Sequence, residues 1–169
     1  MEIFYIFFTV CFICFLFRTV FNVLYHKKSL VRSKKLFPVV SIAMFFLWFS
    51  WFPMSFWDPI RMELPLCVTY LGLALFIIGI IFVVLSHVKI KGFESKKFVR
   101  KGIYSKIRHP MYLGFMLWLI GFPTFTQSLF TLASSVIWIP QILLWEILEE
   151  KEMEKKYKDY KQYKKKTWF

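Results

Sequence analysis

The sequence lacks the short motifs that mark most soluble nucleotide-binding and hydrolytic enzymes. It contains no Gly-rich phosphate loop after a strand pattern, no Gly-x-Ser-x-Gly and no His-Glu-x-x-His, so a soluble nucleotide-binding domain is excluded. Cysteine is scarce: Cys11, Cys14 and Cys67 lie within apolar runs and have no His or Cys at metal-ligand spacing. We therefore expect small buried thiols, no metal site and no dependence on disulfides.

Apolar and aromatic side chains are abundant. Of the 169 residues, 58% are hydrophobic, and 22 Phe, 7 Trp and 8 Tyr are among them, against about 45–50% apolar residues in soluble domains. The formal net charge is +13, but the cations lie in loops and a tail between apolar runs, as topology signals do. The composition predicts an integral membrane protein surrounded by membrane lipids and argues against a nucleic-acid partner.

Five apolar runs predict the fold. They cover residues 3–25, 36–57, 64–85, 111–125 and 129–148, where a helix needs roughly 20 residues to cross the bilayer. The fourth run is short, and the fifth follows it so closely that we expect a tight helical hairpin, with Pro123 helping to end the fourth helix. The prediction is an all-α membrane protein with about five transmembrane helices and a cytoplasmic C-terminal amphipathic helix that continues the fifth.

The loop charges predict the topology. Lys and Arg are concentrated in the first loop, the third loop and the tail, whereas the second and fourth loops are poor in them. By the positive-inside rule the N-terminus lies outside and the C-terminus in the cytoplasm. No signal peptide is expected, because Met1 is followed by Glu2 and no small-residue cleavage site follows. We expect one domain over 1–169, with spans over 3–85 and a cofactor-binding part over 86–169.

The stretch KGIYSKIRHPMYLG, residues 101–114, crosses from the third loop into the fourth apolar run. Pro110 fits the first helical residue, which puts His109 at the N-cap and Arg108 just before it. Free N–H groups, the helix dipole and two cationic side chains then meet at one point, which suits a carboxylate or a phosphate. The alternative is that Arg108 extends to lipid headgroups while His109 merely caps the helix.

Two aromatic rings and two glycines accompany this point. Tyr104 and Tyr112 bracket it and could hold a nucleobase or a cationic sulfur, or anchor in the headgroup layer. Gly114 and Gly121 are seven residues apart and share a helix face, where a neighbouring helix or a ligand can approach closely.

Three carboxylates lie near the end of the fifth run. Glu146, Glu149 and Glu150 oppose the dipole at a helix C-terminus, and Glu146 repels Glu150 across one turn. A cation should compensate them. Either the surrounding lysines or the amino group of a ligand would serve.

These motifs, in this order, resemble the isoprenylcysteine carboxyl methyltransferase and phospholipid methyltransferase superfamily, small membrane enzymes that use S-adenosylmethionine. The resemblance covers residues 98–163. The matching positions are Gly102, Tyr104, Arg108, His109, Pro110, Tyr112, Gly114, Glu149, Glu150, Met153 and Tyr157.

The resemblance implies a cofactor site for S-adenosylmethionine and a lipid-like acceptor that arrives from the bilayer. His109 to Tyr112 would hold the amino-acid part of the cofactor, and Glu149 would bind its ammonium group. Tyr104 would line the pocket with Phe98 and Val99. The implied cofactor-binding set is Phe98, Val99, Tyr104, Arg108, His109, Pro110, Met111, Tyr112, Gly114, Glu149 and Glu150, with no catalytic residue assigned.

One departure bears on the acceptor. Isoprenylcysteine members of the superfamily carry an Arg four residues before the first Glu, and Trp145 stands there in this sequence. We therefore expect an uncharged or amine-bearing acceptor, such as a lipid or a small apolar thiol, in preference to prenylcysteine. Two other functions stay open: a non-catalytic protein that binds anionic lipid through its lysine-rich tail, and a nicotinamide-dependent membrane reductase of the sterol-reductase type.

Overall fold

The computed structural model describes residues 2–26, 36–90 and 99–169. Over these ranges the chain is helical and contains no β-strand, only isolated bridges. The all-α class is therefore confirmed. The helices are α1 (Glu2–His26), α2 (Leu36–Phe56), α3 (Leu66–Ile90), α4 (Pro110–Phe125), α5 (Leu129–Lys156) and α6 (Tyr160–Lys166), with a 3₁₀ turn at Gly102–Ser105.

The helices agree closely with the apolar runs of the sequence. Among the described residues, α1, α2, α3 and α5 are long and apolar enough to cross a membrane, and α4 is a shorter apolar helix. The differences are at two helix ends: α3 runs on to Ile90 although its apolar run ends near residue 85, and α5 runs on to Lys156 past its apolar run at residue 148. The chain is an integral membrane protein.

The predicted hairpin of α4 and α5 is confirmed, but Pro123 has a different role from the expected one. It lies inside α4, which continues to Phe125. A proline has no N–H to donate to the carbonyl four residues earlier, here that of Leu119. Ser135 of α5 fills the gap, since its Oγ donates a 2.6 Å hydrogen bond to that carbonyl. The proline thus leaves the Leu119 carbonyl available for a hydrogen bond from α5, and it does not end α4.

Four glycines bring α3 and α4 into close contact. A Cβ on Gly114 would lie 2.7 Å from the carbonyl oxygen of Gly79, and a Cβ on Gly121 would lie 2.7 Å from that of Gly72. Small residues at such spacing allow helix backbones in a membrane to approach closely. The shared face of Gly114 and Gly121 is confirmed, and the structure places Gly114 against α3.

Helices α1 and α5 run side by side in the same direction. Phe4 contacts Phe130 near one end, and His26 pairs with Glu152 at 2.9 Å near the other. Between them Phe15 stacks on Trp138, with 4.5 Å between ring centroids. The three cysteines are free, and Cys67 is exposed on the first turn of α3 instead of buried as expected.

The C-terminal helix departs from the prediction. Helix α5 does continue past its apolar part, but it ends at Lys156, and Tyr157 is extended with φ −126° and ψ 114°. The chain then turns back as α6, which buries Tyr160 and Tyr163. Burial of these two rings favours the turn over further extension of α5, and it brings the tail to the start of α4.

Candidate functional site

The start of α4 has the predicted arrangement. Pro110 is its first residue and His109 occupies the N-cap. The first hydrogen bond of the helix runs from Leu113 N–H to the His109 carbonyl at 3.0 Å. The N–H groups of Met111 and Tyr112 precede that bond and lie at the positive end of the helix dipole.

Tyr104 reaches the site through the 3₁₀ turn. Gly102 starts this turn with φ 67°, a left-handed conformation that glycine adopts without strain. Tyr104 is buried, and its carbonyl accepts a 2.5 Å hydrogen bond from the Tyr163 hydroxyl. Burial raises the pKa of the Tyr104 phenol to about 12, so the ring is a neutral wall at physiological pH.

Arg108 is held inside the protein. Its Nε donates a 2.8 Å hydrogen bond to Oε1 of Glu150, and its Nη1 donates to the carbonyls of Lys164 and Thr167. Its side chain is 13% exposed. The alternative interpretation of this segment is therefore wrong, because Arg108 does not extend to lipid and the His109 side chain makes no capping hydrogen bond.

The tail also covers the backbone just before α4. The N–H groups of Arg108 and His109 both donate to the Phe169 oxygen, at 2.6 Å and 3.1 Å, and the Trp168 N–H donates to the Lys106 carbonyl at 2.7 Å. Two of the donors expected to be free for an anion are thus occupied. The backbone N–H groups that stay open lie in the first turn of α4, at Met111 and Tyr112.

The paired carboxylates have different environments. Glu150 is 11% exposed and neutralised on both oxygens, Oε1 by Arg108 and Oε2 by Lys164 Nζ at 2.5 Å. The hydrogen bond to Glu150 raises the pKa of the Lys164 ammonium. Glu149 is 39% exposed; its Oε2 accepts a 2.9 Å hydrogen bond from the Tyr112 hydroxyl, and His109 Nδ1 lies 4.0 Å away. Glu149 is the carboxylate left open to a ligand.

A cleft lies between the start of α4 and the polar end of α5. Its lining residues are Tyr104, Arg108, His109, Met111, Tyr112 and Glu149. Its volume of about 60 Å³ is far below the ~300–1,000 Å³ of pockets for whole drug-sized ligands. The described residues therefore enclose space for small charged groups of a ligand and not for a whole nucleoside.

The rest of the predicted cofactor set falls around this cleft. Pro110 and Glu150 are buried next to it. Val99 is partly buried and does not line it, and Gly114 belongs to the contact with α3. Phe98 lies outside the described residues.

A further carboxylate, Glu146, lies beside this group. One ligand-type atom each from His109, Glu146 and Glu150 falls within 4.8 Å of the others. That composition is typical of metal sites, but both oxygens of Glu150 already contact cations, Arg108 and Lys164. Positive charge is thus present there without an ion, and we assign no metal to the cluster.

Residues 67–160 match the phospholipid methyltransferase family, over more than half of the 169-residue chain. The chain belongs to this family. The match contains all of α3 except its first residue, and the whole of α4 and α5. It therefore includes both walls of the cleft. Family membership makes the chain a membrane methyltransferase whose substrates are lipid-like. Neither the curated proteins nor the solved structures gave a match.

Sequence reasoning did not find one part of the site and one residue beside it, and both lie outside the matched range. The first is the tail: Lys164, Thr167 and Phe169 bind Arg108 or its backbone. The sequence predicts only a cytoplasmic amphipathic helix there, with no contact to Arg108. The second is Arg18 on α1, which interacts electrostatically with Tyr112 and Glu149. Its signal was present, since an arginine in an apolar run is unusual.

Proposed function

We propose that this chain transfers a methyl group from S-adenosylmethionine to a lipid-like acceptor at the cleft between α4 and α5. The observation that carries the proposal is the pairing of Tyr112 with the open Glu149 at 2.9 Å. This pairing places a free carboxylate oxygen beside the positive start of α4. A ligand with an ammonium and a carboxylate on the same carbon atom has complementary partners there.

The residues present fit the amino-acid part of such a cofactor. Glu149 suits the ammonium group, because it is partly exposed and its Oε2 has only the Tyr112 hydroxyl as a close donor. The N–H groups of Met111 and Tyr112 suit the carboxylate. The rings of Tyr104 and Tyr112 suit the sulfonium, since aromatic faces attract cations. When bound, the cofactor supplies a methyl group on a positively charged sulfur.

The protein contributes to the reaction by positioning the methyl donor and the acceptor. The methyl donor and the acceptor must meet in line, and fixed positions for both can supply a large part of the rate increase. The buried side chains of Tyr104 and His109 exclude water from the inner wall of the cleft. No side chain is assigned as a base.

The proposed orientation follows from the loop charges. The ends of α1 and α5, joined by His26 and Glu152, and the start of α4 form one end of the molecule. We assign this end to the cytoplasm, with the N-terminus outside. The soluble cofactor then enters from the cytoplasm while the acceptor arrives from the bilayer.

The test is to incubate membranes that contain the protein with methyl-labelled S-adenosylmethionine and to identify which extracted molecule gains label. Membranes with Glu149→Gln serve as the inactive control. The proposal expects a labelled lipid with the wild type and at least about tenfold less label with the variant, the effect of losing one charge-assisted contact.

Two other outcomes would contradict it. Binding of a reduced nicotinamide cofactor without any labelled product would favour the reductase. Loss of lipid binding on removal of the lysine-rich tail, with no label transferred at any stage, would favour a non-catalytic lipid-binding protein.

A further inference from the structure

Arg18 is a charged residue within a membrane-spanning helix. Between Glu2 and His26 it is the one Asp, Glu, Lys or Arg of α1. It lies eight residues before His26, or about 12 Å along the helix axis. Ionisable residues at such depth are costly in a bilayer and typically face a functional cavity or a partner.

The guanidinium of Arg18 is held by contacts within the protein. Its Cζ lies 5.4 Å from the centroid of the Trp145 ring, in cation–π geometry. Its Nη1 donates a 2.5 Å hydrogen bond to Oδ1 of Asn22. Its Nε is buried and has no hydrogen-bond partner within the described part of the chain.

The Trp145 ring, on which the guanidinium lies, is itself held in place. The indole Nε1 of Trp145 donates to the Thr19 hydroxyl at 2.9 Å, and that hydroxyl donates to Oε1 of Gln141 at 2.7 Å. Phe15 stacks on the same indole at 5.7 Å. Helices α1 and α5 are thus locked together at this level, and Arg18 has a defined position.

This position lies next to the cleft, on its membrane side. Arg18 interacts electrostatically with Tyr112 and Glu149, which both line the cleft. Trp145 precedes Glu149 by four residues of α5, which is about 6 Å along the axis. The guanidinium therefore lies one helical turn deeper in the apolar part of the molecule than the proposed ammonium site.

We propose that Arg18 binds an oxyanion on the headgroup of the methyl acceptor. The inference rests on the proposed function and adds the residue that binds the acceptor, whose headgroup then carries a phosphate or carboxylate a few bonds from its nucleophilic atom. A guanidinium presents planar, paired donors that match either group. The unpaired Nε is a donor for this bond, and an oxyanion would also neutralise a charge that the helix otherwise places in the membrane at a cost.

Binding of simple amphiphiles tests this directly. Dodecyl phosphate, dodecanol and inorganic phosphate are titrated into the full chain in dodecyl maltoside micelles, for the wild type, Arg18→Gln, Arg18→Lys and Lys161→Gln. Lys161→Gln removes one exposed positive charge on α6 and controls for general attraction between anions and a basic protein. Binding of S-adenosylmethionine is measured in the same samples.

The wild type should bind dodecyl phosphate at least about tenfold more tightly than Arg18→Gln does, since a charge-assisted pair is lost. Dodecanol should bind both equally, and Lys161→Gln should match the wild type. The affinity of Arg18→Lys for dodecyl phosphate should fall between those of the wild type and Arg18→Gln, because lysine keeps the charge but lacks the paired donors of a guanidinium. The cofactor affinity of Arg18→Gln should not fall below that of the wild type, because the variant removes a positive charge near Glu149 and so does not weaken the attraction of Glu149 for an ammonium group.

Equal affinity of the wild type and Arg18→Gln for dodecyl phosphate would overturn the inference. Tight, Arg18-dependent binding of inorganic phosphate alone would overturn it too, since the site would then serve a free anion. If Arg18→Gln does not fold, the wild type still decides, because dodecyl phosphate must bind it more tightly than dodecanol. Failure of the wild type to bind S-adenosylmethionine would refute the proposed function, whatever the amphiphiles do.

Discussion

The hydroxyl of Tyr112 donates a 2.9 Å hydrogen bond to Oε2 of Glu149. This contact joins the first turn of α4 to the polar end of α5, and it fixes the carboxylate with its other oxygen open. Tyr112 thus acts as a positioning residue for Glu149.

Tyr112→Phe should therefore weaken binding of S-adenosylmethionine by about tenfold, since a hydrogen bond to a charged carboxylate contributes about 1.5 kcal/mol or more. The ring stays in place, so the thermal midpoint should hardly change. Calorimetric titration of the detergent-solubilised protein measures the affinity. Tyr70→Phe, on an exposed ring of α3, is the control, and equal affinity in both variants would remove Tyr112 from the site.

We expect Glu149 to bind the cofactor and Glu150 to stabilise the fold. Glu150→Gln leaves Arg108 and Lys164 without their carboxylate, and we expect it to lower the free energy of unfolding by about 2 kcal/mol. Glu149→Gln should change stability far less, because its carboxylate is partly exposed and pairs with one hydroxyl. Thermal unfolding monitored by tryptophan fluorescence distinguishes them, and the opposite ranking would contradict the assignment.

Arg108 should hold the tail in place. Arg108→Gln loses the charged contact with Glu150 and the bonds to the carbonyls of Lys164 and Thr167. Backbone amides over 160–169 should then exchange hydrogen for deuterium faster, because the open state of the tail becomes more populated.

Arg100→Gln is the matched control for that experiment. Arg100 pairs with Asp159 in the same region, but both side chains are about half exposed, and exposed pairs contribute little stability. Exchange in the tail that rises equally in both variants would show that Arg108 has no special role there.

The glycine contact between α3 and α4 should be intolerant of added volume. A Cβ on Gly121 would meet the Phe76 backbone nitrogen at 2.6 Å and the Gly72 oxygen at 2.7 Å. Gly121→Ala should therefore destabilise the protein by about 1–3 kcal/mol, the usual cost of overpacking. Ala74→Leu adds more volume on an exposed face of α3 and should be tolerated; unfolding in a denaturing detergent compares the two.

The sequence predicted the helices well because apolar runs of this length have few other stable states in a membrane. The place of Pro110 and His109 was equally predictable, since proline fits the first helical position by its missing donor. The role of Pro123 was not, because it depends on Ser135, a residue of the next helix.

The distinction between the two carboxylates could not be predicted either. Glu149 and Glu150 are neighbours with the same chemistry, and only the fold-back of α6 brings Lys164 to one of them. The same fold-back explains why Arg108 does not extend to lipid headgroups. Its partners Lys164 and Thr167 are more than fifty residues away in the sequence. Arg18 was missed although an arginine in an apolar run is unusual, and its contact with Trp145 depends on the packing of α5 against α1.

The most direct test of the account is the affinity of S-adenosylmethionine for Glu149→Gln, measured beside the wild type and Glu63→Gln. Glu63 lies in the exposed segment between α2 and α3 and undergoes the same change of charge. The account predicts at least about tenfold weaker binding by Glu149→Gln, the loss of one charge-assisted contact, and wild-type binding by Glu63→Gln. Equal affinity of all three proteins would contradict the central claim that the open carboxylate at the Tyr112 contact binds the cofactor.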